Sequence, residues 1–118
     1  MSCLFNSLSR HTGEPAQQIR LKICEYLATD PLLYEDLSAS LAVKIETGKD
    51  LAAYIQQMRS PSTWGGAIEI RAFVKLWNRP VKVWAIRTKR WIEFAYEGAI
   101  TLAECKISWN GGHYEPII

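Results

Sequence analysis

Among side chains able to attack a carbonyl or move a proton near neutral pH, the sequence offers three cysteines, Cys3, Cys24 and Cys105, and two histidines, His11 and His113. Cys3 immediately precedes the apolar run LFNSLS, which could begin a helix, and aligned peptide dipoles at a helix N-terminus favour a thiolate. His113 opens a strand-like HYE after Gly111-Gly112, so its ring stands on a rigid element beside a loop able to admit substrate. In a strand, residues 113 and 115 point to one face, which puts the Glu115 carboxylate where it could bond the imidazole and set its tautomer. Thiolate, imidazole and carboxylate together are the parts of nucleophilic acyl transfer. Cys3 and His113 stand at opposite ends of the chain, however, so a fold must bring them together.

Each of these residues also has an ordinary reading. A cysteine is more often a small buried hydrophobe than a nucleophile. Cys24, in the apolar face of a helix, and Cys105, before a strand, are most simply core fillers, and His11 in RHTGE reads as a solvated turn residue.

The positioning elements follow from periodicity. Glu14-Pro15 opens a helix in which Ile19, Ile23, Tyr26 and Leu27 share a face, and Asp30-Pro31 stops it. A weaker helical segment covers 32–42. After Gly48, KDLAAYIQQM places Leu51, Tyr54, Ile55 and Met58 together, with Asp50 or Lys49 at the cap and Ser60-Pro61-Ser62 at the end. AIEIRAFVKLW aligns Ile68, Ala72, Phe73, Leu76 and Trp77 until Asn78-Arg79-Pro80 terminates it. Beyond this the period changes: VKVWAI, RWIEFAY with Trp91, Ile92, Phe94 and Tyr96, KISW and HYEPII read as strands. Arg87, Lys89 and Arg90 form a basic hairpin turn between two of them, solvated by default, with an acidic patch on a protein partner as the minority reading. Helices first and strands last predict an α+β domain, its helical N-terminal half packed on a small, largely antiparallel sheet from the C-terminal half.

With 118 residues, 48% of them hydrophobic, the chain fits a single domain spanning 1–118 with a core of its own. A net charge of +2, from dispersed Lys and Arg, argues against a dedicated nucleic-acid binder. No apolar stretch is long enough to span a bilayer, and MSCLFNSLSR lacks the features of a signal peptide, so the chain as given is expected neither secreted nor in a membrane. An odd number of cysteines without CxxC spacing predicts no disulfide framework, metal or cofactor, and a reducing, cytoplasmic home.

Three blocks taken in order carry more than their residues do singly. SCLFNSLS at 2–9, TWGGAIEIRAF at 63–73 and SWNGGHYEPI at 108–117 resemble the N-terminal Cys, central Trp-Gly and C-terminal His-Tyr blocks of the ovarian-tumour (OTU) cysteine proteases. IRLKICEYL and YIQQM between them are similar too, so the resemblance runs over essentially the whole chain. It implies a papain-like fold and hydrolysis of the isopeptide bond after the C-terminal glycines of ubiquitin or a ubiquitin-like modifier, by a monomer with Cys3 as nucleophile and His113 as base. The family often has Asp or Asn two residues after that histidine, where this chain has Glu115, which leaves Asn110 or a polar residue near the Cys loop as an alternative third member. The family's Cys block usually begins Asp-Gly-x-Cys, and its loop supplies backbone donors to the oxyanion, each worth ~3 kcal/mol. Here Met1 and Ser2 precede Cys3, so either further upstream residues complete that loop or the oxyanion hole is built differently.

Trp64-Gly65-Gly66 has two readings. Trp64 and Gly65 could line a narrow channel for the modifier's extended tail; structurally, and more commonly, Trp64 anchors a turn and Gly66 permits a close start to the next helix. Glu69 on that helix is read as a cap or salt-bridge partner. Trp109 either shelters the active site or packs the sheet. Two other functions fit the same blocks: a viral OTU-type protease, acting in a host cytosol, that also cleaves a polyprotein, and a catalytically silent module that binds modifier without cutting.

Overall fold

The computed structural model describes residues 3–94, 105–110 and 113–117, with only the backbone at Cys105 and Lys106. Among the described residues, five helices precede the four strands of the main sheet. The first, α1 (Cys3–Thr12), buries Leu4, Phe5 and Leu8, carries Arg10 and His11 in its last turn, where the Arg10 guanidinium suits the negative end of the helix dipole, and ends at Gly13, whose φ is +78°. His11 therefore belongs to a helix and not to a solvated turn; its carbonyl accepts from Arg79. Next, α2 (Ala16–Ala28) buries Ile19, Ile23, Cys24 and Leu27 on the expected face, and Arg20 with them.

The weak helical segment at 32–42 is instead a short hairpin, β1 (Leu32–Tyr34) with β2 (Leu37–Ser38), followed by α3 (Ala39–Thr47). Local capping explains the late helix start. Ser38 Oγ accepts the Leu41 N–H, and the Asp30 carboxylate takes both the N–H and the hydroxyl of Ser40. The hairpin is held from outside its own sequence, since Arg71 donates to the Leu33 carbonyl and Lys75 to that of Leu32. Such distant donors leave no trace in periodicity.

Gly48 in the left-handed region (φ +75°) closes α3, and Asp50 caps α4 (Leu51–Met58) by accepting the Ala53 N–H at 2.8 Å. The fifth helix, α5 (Ala67–Trp77), ends at Asn78, also left-handed. It buries Ile68, Ala72 and Phe73 as expected, but Leu76 faces outward and Trp77 lies at the edge, where it stacks on Phe73 and donates to Glu14.

Strands β3 (Val81–Ala85), β4 (Arg90–Phe94), β5 (Cys105–Trp109) and β6 (Tyr114–Ile117) form one sheet in the order β4-β3-β5-β6. Two of its three ladders are antiparallel, while β3 and β5 run parallel, so the sheet is mixed. The turn between β3 and β4 spans 86–89 and holds Arg87 and Lys89 of the expected basic hairpin, whereas Arg90 is the first residue of β4. Val81, Val83 and Ala85 alternate inward on β3, whereas Trp91 and Ile92 of β4 are exposed. Tyr96 falls outside the described residues. Helix α1 lies against β5 and β6, which brings the two ends of the chain together.

Candidate active site

Cys3 is the first residue of α1 and is partly exposed. Leu4, Phe5 and Leu8 anchor the helix from behind. Cys3, Asn6, Ser7 and Arg10, at the i, i+3, i+4, i+7 spacing, line one side of a cavity of about 390 Å³. Ser7 Oγ donates to the Cys3 carbonyl at 2.8 Å. The first-turn N–H groups have no partners within the helix, and its positive end lies at Cys3.

The opposite wall of this cavity consists of His113, Tyr114, Glu115 and Pro116. His113 stands just before β6, which begins at Tyr114 and not at the histidine itself. Its main chain is fixed reciprocally to Asn110: the His113 N–H donates to Asn110 Oδ1 at 2.8 Å, and the His113 carbonyl accepts the Asn110 N–H at 3.2 Å. Asn110 thus acts on the backbone of the histidine. Glu115 Oε1 is 3.4 Å from His113 Nε2, on the face that strand alternation assigned it, with the two side chains 68% and 52% exposed. Gly111 and Gly112 lie outside the described residues, as do Met1 and Ser2, which precede Cys3 where the family's oxyanion loop is expected.

Five lining residues lie outside the expected set: Asn6, Ser7, Arg10, Tyr114 and Pro116. Arg10 was recoverable, because a helix starting at Cys3 must put residue 10 on the same face two turns on. Tyr114 was not, because its burial depends on α1 packing over β6. Burial, then negative charge at Cys3 and Glu69, pushes its phenol up to about 12. Trp109, opposite Tyr114 in the ladder, stacks on it with ring centroids 6.3 Å apart and packs against the core.

Trp64 and Gly65 border a different cavity, of about 270 Å³, with Tyr54, Gly66 and Glu69. Trp64 is 54% exposed and so does not anchor its turn by burial. Close approach occurs at Gly65 and not at Gly66: a Cβ on Gly65 would lie 2.8 Å from Leu4 Cδ2 and 2.9 Å from Phe5 Cε2, whereas one on Gly66 would meet only Glu69 at 4.0 Å. Glu69 is the cap that its position suggested, accepting the Gly66 N–H at 2.7 Å and the Tyr54 hydroxyl at 2.5 Å. Burial outweighs both bonds and pushes its carboxyl up to about 7. Cys24 is fully buried, and burial, helped by the charge of Glu69, pushes its thiol up to about 11, which suits a core residue. The Cys105 side chain is outside the described residues. Among those described, no group of three His, Cys, Asp or Glu is placed to hold a metal.

A family model for OTU-like cysteine proteases matches residues 2–113. Ubiquitin thioesterase OTU1 of Mus musculus is 31% identical over 122 residues, covering 98% of this chain and 33% of that protein. Its Danio rerio counterpart is 29% identical over 98% of this chain and 38% of that protein. The chain spans about a third of the length of these curated relatives. Among solved structures, an ovarian tumour (OTU) domain in complex with ubiquitin superposes with a TM-score of 0.78 at 20% identity, over 98% of this chain and 62% of that one. The viral OTU domain protease from Taggert virus gives 0.70 at 20% identity, over 98% and 71%. At that identity the likeness speaks to fold, and the fold is the papain-like α+β arrangement of OTU domains. Because the family match runs from the Cys block through the Trp-Gly block to His113, and the fold brings both its ends onto one cavity, the chain belongs to the OTU-like cysteine protease family.

Proposed function

We propose that this chain is a deubiquitinating cysteine protease, hydrolysing the isopeptide bond after the C-terminal glycines of ubiquitin or a ubiquitin-like modifier, with Cys3 as nucleophile and His113 as general base. The observation that carries this is the cavity shared by Cys3, at the positive end of α1, and His113, at the head of β6. The ubiquitin thioesterase relatives and the ubiquitin-bound OTU domain of like fold support the substrate class.

The steps follow from the groups present. The imidazole takes the thiol proton, and the helix dipole favours the resulting thiolate. Cys3 sulfur bonds to the carbonyl carbon while the carbonyl π electrons move onto oxygen, where preorganised N–H donors such as that of Cys3 stabilise them. As the tetrahedral centre collapses, the C–N bond breaks and His113 gives its proton to the leaving lysine amine. Water then attacks the thioester with His113 as base, and the C–S bond breaks to return the thiolate and free the modifier's carboxylate. Glu115 steadies the imidazolium formed in each half.

The enzyme works as a monomer in a reducing, cytoplasmic setting. Cys3 and Cys24 are free thiols, and among the described residues no helix is long and apolar enough to cross a membrane. The decisive experiment is reaction with an electrophilic ubiquitin C-terminal probe followed by peptide mapping. A single adduct on Cys3, absent from Cys3→Ala, is expected. A folded wild-type chain that forms no adduct would leave a binding module without turnover.

A further inference from the structure

Two charged side chains are buried among the described residues, Arg20 and Glu69, and both end on the segment that joins α4 to α5. Glu69 grips its far end through the Gly66 N–H and reaches back to α4 through the Tyr54 hydroxyl. Arg20 grips the near end, donating to the carbonyls of Met58 and Thr63, each at 2.8 Å, with its guanidinium 4.3 Å from the centroid of the Phe5 ring. The segment held in this way presses Gly65 onto Leu4 and Phe5, so closely that no Cβ fits between them. Leu4 and Phe5 follow Cys3 directly in α1.

Taking a carboxylate and a guanidinium out of water carries a desolvation penalty of several kcal/mol per ion, and apolar residues of like volume often serve stability as well or better. Two such groups at either end of one loop are better explained by geometry that must not drift. In a close-packed interior a shift of that loop passes directly to whatever it touches. Here it touches the first turn of the helix that carries the nucleophile. The Tyr114 phenol, on the cleft side, responds to charge at both Cys3 and Glu69, so the carboxylate also lies within electrostatic reach of the cleft.

We propose that Glu69 is a positioning residue for catalysis: through Gly66 and Tyr54, and with Arg20 at the other end of the segment, it holds Gly65 against Leu4 and Phe5 and so sets where Cys3 stands relative to His113. This rests on the reading of Cys3 as nucleophile. Glu69 is buried and lies outside the lining of the cavity shared by Cys3 and His113. Its effect is expected on the chemical step and not on modifier binding.

The test uses ubiquitin with a C-terminal aminocoumarin amide as substrate, and reports kcat and KM for protein shown to be folded at the assay temperature by near-UV circular dichroism. Glu69→Ala is expected to lower kcat by about ten- to a hundred-fold, the range that ångström-scale misplacement of reacting groups costs, with KM little changed. Glu69→Gln, which keeps an acceptor for the Gly66 N–H, should recover part of that loss. Should Glu69→Ala not fold, Tyr54→Phe is the second variant, removing one hydrogen bond and lowering kcat several-fold with KM unchanged. Folded variants with wild-type kcat, equal losses in Gln and Ala, or a change confined to KM would each overturn the proposal. Cys3→Ala, run beside them with the electrophilic probe, keeps the two readings apart: an adduct that survives in Cys3→Ala refutes the nucleophile itself, whatever Glu69 does.

Discussion

The cleft between α1 and β6 is lined by Cys3, Asn6, Ser7 and Arg10 of α1, while the 64–66 loop presses on Leu4 and Phe5 of the same helix, and the cleft and the pocket beside that loop are built differently. In the cleft His113 and Glu115 are open to water, and their pair, at 3.4 Å, is long and solvated. In the pocket Glu69 is 1% exposed and bonded at 2.5 and 2.7 Å. A hydrogen bond in dry protein is stronger and more costly to leave unmade than one in water. The comparison teaches that the proposed reacting groups, Cys3 and His113, stand at an open cleft, while the helix that carries Cys3 is secured from the side water does not reach. The two cysteines of the helical half repeat the lesson: Cys3 is accessible at a helix end, and Cys24 is sealed in the core.

The largest effect expected is loss of turnover on removing a reacting group. Cys3→Ala and His113→Ala should each cost at least about a thousand-fold in kcat/KM, while melting temperatures stay near wild type because both side chains are at least partly exposed. Cys24→Ala should do the reverse, keeping probe labelling and losing stability. Abolished labelling in folded Cys24→Ala would erase the contrast between the two thiols.

A pH titration of stability sharpens the comparison next. Glu69 has its folded pKa pushed above the ordinary carboxylate value to about 7. Between those two values the native state holds a proton that the unfolded chain has released. The stability this group contributes is therefore full below the ordinary carboxylate range and lost as pH rises through about 7, by up to about 3 kcal/mol. Urea unfolding at pH 5 and pH 8 should show that loss in the wild type and a smaller one in Glu69→Gln. Identical differences in the two proteins would mean that the carboxylate is ionised at both pH values.

Gly65→Ala probes the wall shared by the two regions. Its new methyl must displace Leu4 or Phe5, at a cost of about 2 kcal/mol for overpacking, and should lower activity too, whereas the exposed Trp64→Ala should change stability by no more than about 0.5 kcal/mol. Thermal melts of the two variants side by side decide it, and equal shifts would remove the reason given for the glycine.

Glu115→Gln should be the mildest. An exposed ion pair is worth under about 1 kcal/mol, so a loss of no more than about five-fold in kcat is expected, with little change in KM. A loss as large as that of His113→Ala would show that the pair tightens once substrate excludes water from the cleft.

Local chemistry made much of this readable from the chain alone. Asp50 as a cap, Gly48 and Asn78 as stops, the helical face of Ile19, Ile23 and Leu27, and the change to strand period after Pro80 all depend on neighbours within a few residues. The order of the Cys, Trp-Gly and His blocks was likewise enough to point to the family. What tertiary structure decided is everything that needed a distant partner. The 32–38 part of the expected helical segment became a hairpin, held by Arg71 and Lys75 donating to it from α5, while 39–42 joined α3. The parallel pairing of β3 with β5 cannot be read from strands that look alike in either direction. Arg20, one charge on an apolar helical face, disclosed its burial only when Phe5 and the carbonyls of Met58 and Thr63 met it in space. Above all, the sequence could name Cys3 and His113 but could not bring them together, because periodicity records which side of an element is dry and not which element covers it. Packing α1 over β6 supplied that cover, and made one cavity of the two ends of the chain.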